Sequence, residues 1–309
     1  MFGEWLIYAV ASIVCWGLVN VLDSYFIENK TYENIWDGTI VSSLYKIIGV
    51  VILGGIFFTK VVEISLAGAL LSMLGGALIS AAFLFCFAAI LYHNDMSLIQ
   101  VVWNLSSPVV VVMGWFFLGE KFAPLAYVGM IVVFAGSFIV SFQKDSFKCN
   151  LGKLLLFLIP MVILYSASEV LMKYVEIQKI DFEQSFPFVC LGQVLFGSII
   201  LIFRQNPKHV GRIVKENWHL FFSSEALELI GLFLMQLAIA KTPSIALFGV
   251  VESFMPVMVV VLTGVCIFLL KIFKRGKTLE RVYEENMLAG LPAKVIATAV
   301  MMAGIYLIG

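Results

Sequence analysis

The most regular feature of the chain is a succession of long apolar runs separated by short polar breaks. A bilayer core about 30 Å thick requires about 20 apolar residues per helix, and the runs have this length. Because lipid cannot satisfy open backbone groups, each run is expected to be an α-helix. The pattern predicts an all-α membrane protein with ten transmembrane segments, at about 5–27, 38–58, 66–91, 97–117, 123–142, 151–174, 184–203, 219–240, 244–270 and 290–308.

Composition agrees with residence in a membrane, most simply the cell membrane. The chain is 61% hydrophobic and 13% charged, whereas soluble domains carry about a quarter charged residues. Its formal net charge is zero, so nothing favours a nucleic-acid partner. The five cysteines lack the paired spacing of a metal site, and we expect no cofactor and no metal.

The connections between the runs are short, except for two longer ones around 204–217 and 271–289. Neither contains a glycine-rich phosphate loop, so any chemistry is expected among the helices. The stretch 271–286 mixes basic and apolar residues, which predicts a helix along the membrane surface. Most Lys and Arg follow odd-numbered segments, and this bias predicts that both termini are non-cytoplasmic.

An internal repeat appears when the chain is shifted by 148 to 149 residues. It divides the sequence into two five-helix units, 1–145 and 150–309. The matched positions are Trp16 with Tyr165, Asn20 with Glu169, Tyr25 with Tyr174, Tyr45 with Gln193, Gly49 with Gly197, Ser80 with Glu228, Gln100 with Phe248, Asn104 with Glu252, and Pro108 with Pro256. Because five is odd, the second unit must enter the membrane from the opposite side. Such inverted repeats hold substrates near the midplane, at their interface.

Short motifs add a family resemblance. They are Trp16-Gly17, Ser107-Pro108, Gly119-Glu120 before Pro124, the run from Tyr127 to Gly136, Pro256, and Met302 to Gly304. With these residues the chain resembles the EamA-like branch of the drug/metabolite transporter superfamily. The resemblance implies a ten-helix secondary transporter rather than an enzyme, in a family that handles amino acids, nucleotide-linked sugars and quaternary amines. The chain departs from the family pattern at Ile267-Phe268, which match Gly119-Glu120 and precede a basic stretch.

Ionisable residues inside the runs are few. Each costs about 2.5 to 3.5 kcal/mol at a helix centre, so they normally face a cavity or a partner. Glu169, Glu228 and Glu252 are the deep acids and Lys46 the deep lysine. A structural ion pair between Lys46 and one of these acids is one interpretation, and Glu225 is expected at the membrane interface.

Two local patterns suggest how such acids act. Tyr165 and Glu169 share a helical face, an arrangement that can bind a small ligand by stacking while the acid orients it. The alternative is that Glu169 pairs with Lys173. Glu252 lies four residues before Pro256 at a predicted kink, which makes it a candidate cation or proton site; the alternative is a kink that serves only packing. The pairs Gly54-Gly55 and Gly75-Gly76 are expected to allow close helix approach.

The sequence therefore predicts a gradient-driven or facilitative transporter of a small polar metabolite that works by alternating access. A cationic or zwitterionic substrate is favoured, and protons are a candidate coupling ion. A multispanning membrane enzyme and a channel are the alternatives, although no HExxH pattern is found. The predicted substrate-binding residues are Trp16, Asn20, Tyr45, Asn104, Tyr165, Glu169, Gln193, Glu228 and Glu252.

Overall fold

The protein is all-α. The computed structural model describes residues 3–28, 34–93, 103–141, 151–204, 207–272 and 291–308, and 90% of these are helical, with no strand among them. Eight of the described helices are long and apolar enough to cross a membrane. The chain is thus an integral, multi-pass membrane protein, as its apolar runs predict.

The helices follow the predicted segments, several of which are divided by a turn. They are α1 (Glu4–Glu28), α2 (Ile35–Tyr45), α3 (Ile47–Ile56), α4 (Phe58–Val61), α5 (Leu66–His93), α6 (Ser106–Met113) continued by a π-helix (Gly114–Leu118), α7 (Pro124–Ser141), α8 (Leu151–Ile177), α9 (Phe182–Arg204), α10 (Pro207–Glu216), α11 (Trp218–Lys241), α12 (Ile245–Glu252), α13 (Met255–Ile272) and α14 (Leu291–Ile308). The eight long spans match the predicted segments except the first and the fourth, which contain shorter apolar helices.

One connection differs from the prediction. The stretch around 204–217 reads as a loop in the sequence but contains α10, an amphipathic helix. Val210 and Ile213 are buried against the bundle, while Lys208, Arg212 and Lys215 are exposed. The segment is shorter than a membrane span and has a low overall hydrophobicity, so a search for apolar runs of bilayer length does not find it. The surface helix predicted over 271–286 lies almost entirely outside the described residues.

The bundle has two ends. At the first, which we call the N-terminal face, Lys241 Nζ lies 3.1 Å from Glu4 Oε2 and Lys60 Nζ lies 3.9 Å from Asp181 Oδ2. At the second, the opposite face, His209 Nε2 lies 3.4 Å from Asp37 Oδ2. These contacts fix the directions of α1, the α2–α4 segment, α9 and α11 through the bundle.

Close backbone approach holds part of the core together. Helix α5 packs along α8 and α9, and α1 packs along α11. A Cβ placed on Gly76 would lie 1.9 Å from the carbonyl oxygen of Val189, and one on Gly192 would lie 1.9 Å from that of Met73. Only glycine fits at such distances, so the expected role of Gly75-Gly76 is confirmed. Gly55, by contrast, has no neighbour within 4 Å of a built Cβ, so the expected close approach is absent there.

The two proline motifs coincide with helix interruptions. A turn precedes α6 at Asn104, and another at Ser253 separates α12 from α13. Carbonyls in these interruptions accept hydrogen bonds from serines of neighbouring helices: Ser166 Oγ donates to the Ser106 carbonyl at 3.1 Å, and Ser137 Oγ to the Ser253 carbonyl at 2.6 Å. The second interruption places Glu252 at the C-terminal end of α12.

Candidate functional site

A row of four aromatic rings crosses the interior. Trp16 stacks on Phe83 with ring centroids 5.8 Å apart, Phe83 lies 5.7 Å from Trp103, and Trp103 lies 4.8 Å from Tyr165. The row begins on α1 and ends on α8. It therefore joins the two aromatic residues that the internal repeat matches with each other.

Two carboxyl groups lie at the Tyr165 end of this row. The Tyr165 hydroxyl donates a hydrogen bond to Glu252 Oε1 at 2.8 Å and also lies 3.3 Å from Met235 Sδ. Glu169, one helical turn after Tyr165, is close enough to interact with the Glu252 carboxyl. Glu169 is 0% and Glu252 6% exposed. We call Tyr165, Glu169 and Glu252 the acid site.

The acid site has acceptors without donors. Neither oxygen of Glu169 has a hydrogen-bond partner among the described residues, and neither does Glu252 Oε2. The described salt bridges include none to Glu169 or Glu252. Burying a carboxylate without a partner costs several kcal/mol (order of magnitude). A bound proton, or the ammonium group of a ligand, would satisfy these oxygens.

Lys173 does not provide the missing cation. Its Nζ lies 2.7 Å from Glu176 Oε2, and it donates to the carbonyls of Thr242 at 2.6 Å and Ile239 at 3.3 Å. All of these partners lie towards the N-terminal face. The alternative in which Glu169 pairs with Lys173 is therefore wrong for this structure.

A second pair of acids does have a lysine, and we call it the Lys46 cluster. Lys46 Nζ lies 2.9 Å from Glu228 Oε1 and 3.3 Å from Glu225 Oε2. Ser42 Oγ donates to Glu228 at 2.8 Å. The ion-pair interpretation of Lys46 is confirmed. Glu225 is 4% exposed and shares this lysine, whereas its expected place at the membrane interface stays a prediction.

Helix α11 connects the two clusters. Glu228 belongs to the Lys46 cluster, and Met235 touches Tyr165. Seven residues of α-helix separate them, a rise of about 10 Å. Between the two lies Gly231, whose carbonyl accepts a hydrogen bond from Ser12 at 3.0 Å and whose missing side chain leaves room for Trp16.

The remaining predicted site residues lie elsewhere. Asn20 Nδ2 donates to the Trp16 carbonyl of its own helix at 2.9 Å, and Asn104 donates to Ser141. Tyr45 is half-buried in an apolar groove beside α10. Gln193 is fully buried, and neither its oxygen nor its nitrogen has a partner among the described residues. The acid site thus combines Tyr165, Glu169 and Glu252 of the predicted set, with Trp16 at the far end of the aromatic row.

Glu120 has a role that the sequence did not reveal. Its carboxylate accepts hydrogen bonds from Ser244 Oγ at 2.7 Å, Ile245 N at 2.8 Å and Ala246 N at 3.2 Å. These donors form the N-terminus of α12, where a negative charge stabilises the helix. The chain reaches this position because Gly119 adopts a left-handed conformation with φ 68°. Glu120 thus fixes the helix that carries Glu252.

No metal centre is apparent in the residues that the structure describes: no group of three or more His, Cys, Asp or Glu side chains could hold a metal ion there. The candidate site consists of aromatic rings and carboxyl groups within a multi-pass helical membrane protein.

Comparison with known proteins supports the fold. No family model matches the chain, and no curated protein matches it. A solved structure described as "Crystal structure of protein" is similar, with a TM-score of 0.71 at 16% sequence identity over 99% of this chain and 96% of the other. At 16% identity the similarity shows a shared fold and says nothing of function.

Proposed function

We propose that this protein is a secondary transporter that moves a small cationic or zwitterionic metabolite by alternating access, with protons as the coupling ion. Its architecture is that of two inverted five-helix units, 1–145 and 150–309, of the EamA-like type. The observation that carries the proposal is the acid site, whose buried carboxyl oxygens have no cationic partner among the described residues.

The helix directions support the inverted repeat. Helix α1 begins at the N-terminal face, where Glu4 pairs with Lys241. Helix α8 ends at this face, because Lys173 in its last turns bonds to Thr242, the residue after Lys241. The first helices of the two units therefore run in opposite directions. The shorter apolar helices at the first and fourth predicted segments, added to the eight long spans, support a total of ten crossings.

The chemistry of the site favours an organic ammonium group. Aromatic faces attract cations, and Trp103 and Tyr165 lie 4.8 Å apart beside the carboxyls. An ammonium group placed against Glu169 and Glu252 would provide the missing donors and neutralise buried charge. An anionic substrate would instead meet two acids without any compensating cation from the described residues.

The state of the site is consistent with one stage of alternating access. Both acids are buried, so the site is closed to water in this conformation. Bonds at the N-terminal face, from Glu120 to α12 and from Lys173 to Thr242, keep that side closed. Uptake requires that these contacts and those on the opposite face open in turn.

Uptake by sealed vesicles containing the purified protein tests the proposal. The substrate is first chosen by a thermal-shift screen of amino acids, amines, nucleotide sugars and nucleosides, since a ligand of the folded state raises its apparent stability. Glu252→Gln is then expected to abolish uptake or make it independent of pH at normal protein abundance. The exposed residue Glu63 supplies the control Glu63→Gln. Unchanged, pH-dependent uptake by Glu252→Gln contradicts the proposal, and activity in detergent without vesicles favours an enzyme.

A further inference from the structure

The Lys46 cluster lies between the α2–α3 segment and α11 and joins them by buried charges. Resting on the proposed function, we propose that it is the gate between the acid site and the opposite face: an ion pair between the α2–α3 segment and α11 that must separate for the substrate to pass. Lys46 then acts as a gating residue that does not belong to the acid site.

The lysine lies at a break in its helix. Helix α2 ends at Tyr45 and α3 begins at Ile47, so Lys46 is the junction residue. Its side chain is 0% exposed. Junctions between helix segments absorb backbone rotation more easily than continuous helix does. A movement of α2 about this point would carry the lysine away from Glu225 and Glu228.

Two helix–helix seams, α5 against α9 and the α2–α3 segment against α11, are packed in different ways. Between α5 and α9 the backbones touch at Gly76 and Gly192, which leaves no space to fill. The α2–α3 segment and α11 make few close backbone contacts among the described residues, and charged side chains bridge them. At the 148-residue offset, Lys46 matches Val194 and Glu228 matches Ser80, so only one of the two seams carries the ion pair.

The cluster also lies on the route that a substrate would take. Glu225 and Glu228 precede Met235 on α11, and α11 starts at the opposite face. Continuing along this helix from the acid site therefore leads past the Lys46 cluster before the opposite face is reached. A buried ion pair gains little net stability over its desolvation cost, so it can separate when water solvates both partners or when an incoming cation takes the place of the lysine. These are the properties of a gate that opens and closes.

A native cysteine reports on the seam. Cys190 is 0% exposed on α9, and a Cβ built on Gly49 of α3 would lie 2.8 Å from its Sγ and 3.0 Å from Leu229 Cδ1 of α11. Three helices thus meet at this thiol, beside Lys46. Separation of α3 from α11 would admit water to Cys190.

The experiment measures the labelling rate of Cys190 by a hydrophilic maleimide in detergent-solubilised protein whose other four cysteines are replaced by serine. Lys46→Met is expected to label about tenfold faster than the parent, because the seam opens more often. If buried acids without their lysine prevent folding, the triple variant Lys46→Met, Glu225→Gln, Glu228→Gln removes all three charges together and is expected to label faster as well. Lys60→Met, which removes an exposed lysine, is the matched control and should leave the rate unchanged.

Equal labelling in the folded triple variant and the parent overturns the gate. The readout does not depend on transport, so the two proposals can fail separately. Fast labelling with no uptake of any compound by the parent supports the gate and removes the transporter. Unchanged labelling together with loss of uptake in Glu252→Gln overturns the gate and supports the transporter.

Discussion

The protein buries two pairs of glutamates in one helical bundle, and the pairs differ in what faces them. Glu225 and Glu228 meet a lysine and a serine that belong to another helix. Glu169 and Glu252 meet a tyrosine, an aromatic row and no cation among the described residues. Burial in an apolar segment therefore does not by itself assign a role to an acid. A pair with its own cation joins helices, and a pair without one can bind a cation from outside.

The largest expected effect concerns the paired acids. Lys46→Ala should lower the free energy of unfolding by about 3–5 kcal/mol, because it leaves two buried carboxylates without their cation. Glu169→Gln should instead be neutral or stabilising, since it removes a charge that has no partner. Reversible unfolding in mixed micelles measures both variants. Similar losses of stability in the two variants would show that the two pairs of acids are equivalent.

The next effect tests the seam that has no ion pair. Gly76→Ala should destabilise the protein by about 1–3 kcal/mol, because the new methyl group meets the Val189 carbonyl. Gly55→Ala is the matched control: it has open space, and alanine favours a helix over glycine by about 0.5–1 kcal/mol. The same unfolding measurement compares them. Tolerance of alanine at Gly76 would mean that α5 and α9 do not touch as described.

A smaller effect is expected at the start of α12. Glu120→Ala removes the acceptor of three hydrogen bonds at this helix terminus and should cost about 0.5–2 kcal/mol of stability. Because α12 carries Glu252, ligand affinity should fall as well. Glu120→Gln retains an acceptor oxygen and should recover part of both losses. Calorimetric titration with a ligand from the screen measures the affinity, and a loss in stability with affinity unchanged would separate Glu120 from the acid site.

The smallest effect is expected from Tyr165→Phe. This change deletes the hydroxyl that donates to Glu252 and keeps the ring beside Trp103. The loss should be about 0.5–1.5 kcal/mol in ligand affinity, the net value of one hydrogen bond. Tyr174→Phe, on an exposed tyrosine of the same helix, is the control. An unchanged affinity in Tyr165→Phe would show that the hydroxyl does not orient the acid.

Much of the fold is predictable because a membrane protein needs apolar segments of bilayer length, which are visible in the sequence. Apolar runs of bilayer length predict helices, and eight described spans match them. Glu169 and Glu252 were identified because acids in such runs are rare. Tyr165 was identified because the internal repeat matches it with Trp16.

Other features depend on tertiary contacts that a pattern does not encode. Phe83 and Trp103 complete the aromatic row, yet aromatic residues in an apolar run give no signal that separates a site from ordinary packing. The pairing of Glu225 with Lys46 is not predictable from the sequence, because the distance between the two side chains depends on how α2 and α11 pack. The motif Gly119-Glu120 is visible in the sequence, but the hydrogen-bond partners of Glu120 are more than a hundred residues away along the chain.

We propose that Glu169 and Glu252, which have no cation among the described residues, bind the substrate and that Glu225 and Glu228, which share Lys46, do not. The most direct measurement is the thermal stabilisation produced by one ammonium ligand from the screen, compared between Glu252→Gln and Glu225→Gln. We predict that Glu252→Gln loses the stabilisation and that Glu225→Gln keeps it. Stabilisation retained in Glu252→Gln and lost in Glu225→Gln would contradict the claim.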